Sequence, residues 1–150
     1  LRYDGRRRTS TVDMVGIAKD LHRLPRRLTI VEGNYSHLLL RSGEVEHAFV
    51  LRLHPSRLKR RLEARAYDRQ KINENLLCEV LDLCYAEAVN RFNGKVSQID
   101  MTNKRMNEAL ELALKALTRG RPVYQPVDWL KGFGRDGTVT RLLVGRRRWP

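Results

Sequence analysis

Acidic residues are scarce in this chain: 17 Asp and Glu stand against 30 Lys and Arg, leaving a net charge of +13. Cysteine is scarcer still, with Cys78 and Cys84 the only two. Six positions apart on one expected helix, they would point about 240° apart. A disulfide framework or a zinc cluster is therefore not expected, and buried thiols in a reducing compartment are. No apolar run approaches the roughly 20 residues that cross a bilayer, and no secretory pattern opens the chain, so the expectation is a cytoplasmic protein with no membrane partner. The chain opens on Leu1 rather than Met, which suggests an alternative start or a lost N-terminus.

Apolar residues make up 41% of the 150, and they recur with clear periods. This is enough for one globular domain and argues against disorder. Of the 30 cations, 23 are Arg, the residue whose planar fork matches phosphate. They cluster at Arg6 to Arg8, Arg23 to Arg27, Arg57 to Arg61 and Arg146 to Arg148. Basic arms at chain ends commonly meet nucleic acid, while a generally basic proteome would leave the same mark.

Read in order, residues 1–11 are polar and show no hydrophobic period. Val12 to Leu24 places Val15, Ile17, Ala18 and Leu21 on a helix face that Pro25 closes. Leu28 to Val31 reads as a short strand, residues 34–46 as a loop or short helical turn, and His47 to Leu53 as a second strand. A basic helix follows from Ser56 to Arg65, just past Pro55, a good first-turn residue. One long helix is expected from Ile72 to Phe92, with Ile72, Leu76, Val80, Leu83 and Val89 inward, stopped by Asn93-Gly94. A third strand spans Val96 to Ile99. The last helix, Asn103 to Leu117, carries Met106, Ala109, Leu110, Ala113, Leu114 and Leu117 inward before Gly120. Alternation of helix and strand with short links predicts an α/β class with a mainly parallel sheet. The segment from Arg119 onward, with four of the ten glycines between Gly132 and Gly145, reads as a docking strand or loop and then a hairpin turning at Asp136-Gly137.

Two motif matches fail on context. Gly132, Gly134 and Gly137 fit G-x-G-x-x-G, but no strand precedes them and no helix or acid follows at the required distance. Asn34-Tyr35-Ser36 fits a glycosylation acceptor without a secretory signal.

The chemistry-bearing segment is LEARAYDRQKINENLLCE, Leu62 to Glu79. It sets Arg65, Arg69 and Lys71 at the opening of a helix, where Arg forks can close on phosphate oxygens. Upstream, LTIVEGNYSHLL ends an apolar stretch in a carboxylate, Glu32, followed by Gly33 and Asn34.

Four blocks resemble the small atypical adenylate kinases shared by archaea and eukaryotes, a family that includes adenylate kinase isoenzyme six: Tyr3-Asp4-Gly5, VEGNYSHLL from Val31, FVLR with EARAYDRQKINENLLCE, and PVDWL from Pro126. The resemblance covers roughly Arg2 to Leu130. It implies a P-loop, nucleoside-monophosphate-kinase-like parallel sheet flanked by helices, here without its first strand and phosphate loop. The partial kinase domain would be residues 1–120, with 1–12 ending the monophosphate-binding region, where Tyr3, Asp4 and Gly5 lie, and 64–74 forming the lid; residues 121–150 would be a basic extension. It further implies phosphoryl transfer from ATP to AMP or another nucleoside monophosphate, ATP hydrolysis, and Mg²⁺ bound with ATP. Maturation of the small ribosomal subunit is implied too, beside a small-subunit ribosomal protein and its rRNA. Carried over by position, Arg65, Arg69, Lys71 and Lys104 would bind nucleotide. Glu32 and Asn34 would sit at the catalytic strand end, with Glu32 holding the metal through water.

Two departures stand out. No G-x-x-x-x-G-K-[ST] occurs in the 150 residues, so the cradle of backbone N–H groups and its Lys are missing. The family's acid-x-His is Glu32-Gly33-Asn34 here, and Asn cannot shuttle a proton near neutral pH. His37, one helical turn on, could substitute, although a surface position is expected for it. Two functional readings follow. One is a nucleotide kinase seen without its N-terminal part; the other is a non-catalytic ribosome- or RNA-associated protein on the same scaffold.

Overall fold

A computed structural model describes residues 2–4, 9–25 and 27–133. The chain divides into two compact units, Leu1–Val45 and Glu46–Pro150.

In the first unit, β1 (Arg2–Asp4) pairs antiparallel with β2 (Thr9–Thr11), Tyr3 opposite Ser10. The polar opening stretch is thus a hairpin, which its lack of apolar alternation concealed. Helix α1 (Met14–His22) is capped by Asp13, whose carboxylate accepts from the Gly16 N–H at 2.9 Å. A Cβ at Gly16 would lie 2.6 Å from that carboxylate, so a larger residue there would push the capping side chain aside. Pro25 follows the helix as expected. The expected strand at Leu28 to Val31 does not form: the segment has no ladder partner among the described residues, and Leu28 and Ile30 are 87% and 90% exposed. β-propensity produces a strand only where a neighbouring strand accepts its hydrogen bonds. A short helix, α2 (Ser36–Leu39), and a 3₁₀ turn (Ser42–Glu44) complete the unit.

In the second unit, β3 (Ala48–Arg52) and β4 (Val96–Asp100) run parallel, Arg52 opposite Asp100. Tyr124 forms a parallel bridge to Gln98 on the other side of β4, so the segment after the last helix docks there as expected. Helices α3 (Pro55–Ala64), α4 (Arg69–Val80), α5 (Leu83–Arg91) and α6 (Met106–Arg119) supply the crossovers, with a short α7 (Trp129–Phe133) beyond. This is the expected α/β architecture, a parallel sheet flanked by helices. The expected hairpin at Asp136-Gly137 lies outside the described residues.

The single helix expected from Ile72 to Phe92 is two. Its buried residues Ile72, Leu76, Val80, Ala88 and Phe92 step by fours or eights. In a straight helix each step of four drifts about 40°, so the stripe would rotate to the far side by Phe92. Asp82, at φ 56°, breaks the helix and restarts it. Asp is among the few residues that tolerate this left-handed conformation. Helix α6 also departs from expectation: Ala109 and Ala116 are buried, but Met106, Leu110, Leu114 and Leu117 remain exposed. Their apolar stripe has no covering element among the described residues.

Arg52 is the hub of the second unit. It is 2% exposed; its Nε donates to Glu79 Oε1 at 2.8 Å, its Nη1 to Gln98 Oε1 at 2.9 Å and its Nη2 to the Glu79 carbonyl at 2.7 Å, and the same Nη2 pairs with Asp82. Trp129 donates to the same Glu79 carboxylate at 2.7 Å. One buried cation thereby ties β3, β4, the α4–α5 break and the start of α7.

His47 sits against the far end of the sheet, its Nε2 2.7 Å from Ser97 Oγ, which also accepts from the Val123 N–H at 2.9 Å. With one proton and two lone pairs, Ser97 Oγ can serve His47 Nε2 as donor or as acceptor while it accepts from Val123. Burial holds His47 below its ordinary pKa, against a smaller opposing effect of Glu46. A depressed histidine is neutral in both states above the unfolded pKa near 6.5. Below it the unfolded chain takes up the proton first, so stability falls until the folded pKa is passed. The wild type is therefore expected to lose more Tm between pH 7.5 and 5.5 than His47→Gln; equal losses would clear His47 of the effect.

Candidate nucleotide-binding site

Arg65, Arg69 and Lys71 are brought together by the turn between α3 and α4, and all three are exposed. The turn is built by a Schellman closure. The Ala66 N–H donates to the Glu63 carbonyl at 2.9 Å and the Tyr67 N–H to the Leu62 carbonyl at 3.2 Å. Such a closure requires the left-handed conformation, which Ala66 adopts at φ 55° despite its Cβ. That strain is held by packing: Tyr67 leans on the buried cluster of Leu62, Ile72 and Leu76, the hydrophobic contact that accompanies this motif. Asp68 then caps α4, accepting from the Lys71 N–H at 2.8 Å, and the Lys71 ammonium lies 4.4 Å from the centre of the Tyr67 ring. A rigid, strained turn therefore presents a small cationic cluster, the arrangement in which functional sites commonly store strain.

Lys104 is half-buried in the turn after β4. Nearby, Arg57 donates to the Thr102 carbonyl and, at 3.2 Å, to Asn103 Oδ1, while the His54 N–H donates to Thr102 Oγ1 at 2.9 Å. These bonds knit together the carboxyl ends of β3 and β4, the edge at which open α/β sheets bind ligands. Arg57 appears in the sequence only as the start of a basic cluster, and His54 was not singled out; the Pro55 helix start next to a strand end was its only signal.

Glu32 and Asn34 belong to the first unit and are exposed, with no hydrogen bond or ion pair among the described residues. Gly33 between them adopts φ 153°, where side chains are disfavoured. His37 is not at the surface as expected but 7% exposed on α2. Tyr3 and Asp4 lie on β1, and Gly5 is outside the described residues, as are Arg146 to Arg148. Between α1 and α2 lies a shallow hollow of about 450 Å³, floored by Met14, Val15 and Leu38 and rimmed by Lys19, Arg23 and Arg41. Both cysteines are half-buried rather than buried. Burial, followed by the nearby Cys78, pushes the Cys84 thiol up, which keeps it protonated and unreactive. Among the described residues no cluster of His, Cys, Asp or Glu could cage a metal ion, and no helix is long and apolar enough to cross a membrane.

A parallel sheet flanked by helices, with a cationic turn leading into a helix, defines the class: a P-loop-kinase-like α/β protein whose 150 residues contain no phosphate loop. Sequence comparison is more specific. The chain is 39% identical over 107 residues to a protein of Archaeoglobus fulgidus, 38% over 110 residues to one of Methanothermobacter thermautotrophicus and 34% over 104 residues to one of Methanocaldococcus jannaschii. All three are provisionally named adenylate kinases. The matches take in 67%, 70% and 69% of this chain, and 57%, 62% and 54% of the respective relatives. The chain is thus adenylate-kinase-like, and it spans a little over half the length of these relatives. No family profile matches it.

Proposed function

We propose that the whole protein is an adenylate or related nucleoside-monophosphate kinase that converts ATP and a monophosphate to two diphosphates. The observation that carries this reading is the similarity to archaeal proteins named as adenylate kinases, 31–39% identical over about 105–120 residues. The strained cationic turn supplies the chemistry. Phosphoryl transfer is mainly positioning and charge neutralisation, and Arg65, with Arg69 and Lys71 beside it, would grip the triphosphate while Lys104 meets the base end. The hollow between α1 and α2 has a volume in the range of small-ligand sites, and its cationic rim suits a monophosphate, next in sequence to Tyr3, Asp4 and Gly5. Mg²⁺ keeps most of its waters and needs only one or two carboxylates beside the phosphates. The exposed, uncommitted Glu32 fits that demand through a bound water. Asn34 can orient a group there by hydrogen bonding without moving a proton.

The catalytic polypeptide would carry, beyond these 150 residues, the strand and phosphate loop that the longer relatives have room for. ATP hydrolysis, a cytoplasmic location and work in small-subunit ribosome maturation beside a ribosomal protein and its rRNA belong to the same proposal, on family resemblance alone.

The test is Arg65→Ala in a polypeptide that includes a phosphate loop. Charge-assisted hydrogen bonds contribute roughly 1.5–3 kcal/mol, so ATP affinity by calorimetry is expected to fall about ten- to a hundredfold. Unchanged affinity would remove Arg65 from the site.

A further inference from the structure

The outer face of α3 carries a row of arginines. Residues 55–71 hold seven cations against Glu63 and Asp68 alone, and Asp68 is committed to capping α4. On the helix, Leu58 and Leu62 turn inward onto Ile72, Leu76 and Tyr67. Arg57, Arg61 and Arg65 recur every four residues, and Arg60 flanks them; all four are exposed. Successive members of this row rise about 6 Å along the helix axis.

A solvated helix face ordinarily alternates sign at i,i+4, because opposite charges there stabilise and like charges destabilise. Here both i,i+4 positions repeat Arg. No ion pair with Arg60, Arg61 or Arg65 forms among the described residues. Arg57, at the front of the helix, opposes the helix dipole as well and is held in place by Thr102 and Asn103. This electrostatic penalty is relieved by a ligand with regularly spaced anions. A membrane-inserting helix would need an exposed apolar face, and α3 exposes no large apolar side chain. No aromatic ring stands on the row to stack or read a base.

We propose that the Arg57–Arg60–Arg61–Arg65 face of α3 binds the phosphodiester backbone of a single-stranded nucleic acid, without regard to sequence. This does not rest on the phosphotransfer reading, since the face can hold a strand whether or not the polypeptide turns over ATP.

The experiment follows binding of fluorescent 20-nucleotide RNA and DNA by anisotropy across a NaCl series, with the full chain and two charge-matched double variants. Arg60→Gln with Arg61→Gln removes two cations from the face; Arg119→Gln with Arg121→Gln removes two from the end of α6 and beyond. The first pair is expected to flatten the log K against log[salt] slope by about 1.4, two single-strand phosphate contacts at roughly 0.7 each, and the second to leave it within error. Equal flattening by both pairs, or none by either, overturns the proposal in favour of diffuse net charge. Preference for RNA over DNA would identify the source of the backbone, and equal binding would leave a general strand site; both support the proposal. Binding to phosphatidylserine vesicles that needs Arg60 and Arg61, with no binding to either oligonucleotide, overturns it. Should either variant fold poorly, phenylglyoxal modification of the unaltered chain decides instead. Bound RNA is expected to protect Arg60 and Arg61 but not Arg119 or Arg121, and uniform protection overturns the proposal.

Discussion

Arg52→Ala is expected to lower the unfolding free energy by about 3–5 kcal/mol, the penalty for breaking a buried ion pair from one side. Among the described residues, the substitution removes the only cation paired with Glu79 and Asp82, whose side chains are 14% and 41% exposed. It also leaves Gln98 Oε1 and the Glu79 carbonyl without their donor. Domains are stable by only about 5–15 kcal/mol, so urea denaturation should show a greatly reduced midpoint or no native baseline. Trp129→Phe removes only one donor to Glu79 and is expected to cost about 1 kcal/mol. If the two substitutions shifted the midpoint equally, Arg52 would not be the hub.

The 150-residue polypeptide, made as it stands, is expected to show no phosphotransfer above a blank without enzyme. Arg65, Arg69 and Lys71 bring positive charge but not the nest of backbone N–H groups that holds the phosphates, nor its lysine. Losing even one such pre-organised donor costs enzymes about a hundred- to a thousandfold in rate, and here the whole cradle is missing. The check is a coupled assay with ATP, AMP and Mg²⁺. Any protein-dependent turnover overturns the expectation, whereas activity appearing only when a strand–G-x-x-x-x-G-K-[ST]–helix segment is added supports it. The same polypeptide should self-associate, because the exposed α6 stripe of Met106, Leu110, Leu114 and Leu117 invites apolar contacts. A sharp thermal transition from a monomer would count against this.

Much of the second unit was legible in the sequence. The apolar runs around Ala48–Arg52 and Val96–Asp100, Pro55 at a helix start and Gly120 at a helix end are local signals, and the elements follow them. The cationic turn was legible for the same reason: Arg65, Arg69 and Lys71 are neighbours along the chain before they are neighbours in space. The Schellman closure was not, because its left-handed residue is Ala66 rather than glycine. Asp82 hid in the same way, at a position where the apolar period runs on without pause.

What the chain by itself determined is therefore its local grammar: the helix and strand periods, the caps, the excess of arginine and the missing phosphate loop. Tertiary structure alone decided whether Leu28 to Val31 becomes a strand, since hydrogen bonds along a strand belong to the pair and not to the residue. It alone decided where the Ile72–Phe92 helix breaks, because the break places Asp82 against a buried Arg52 that lies 30 residues earlier. It also turned an ordinary FVLR tetrapeptide into the hub of the unit, because only folding removes water from the Arg52 guanidinium and obliges the protein to supply every partner itself.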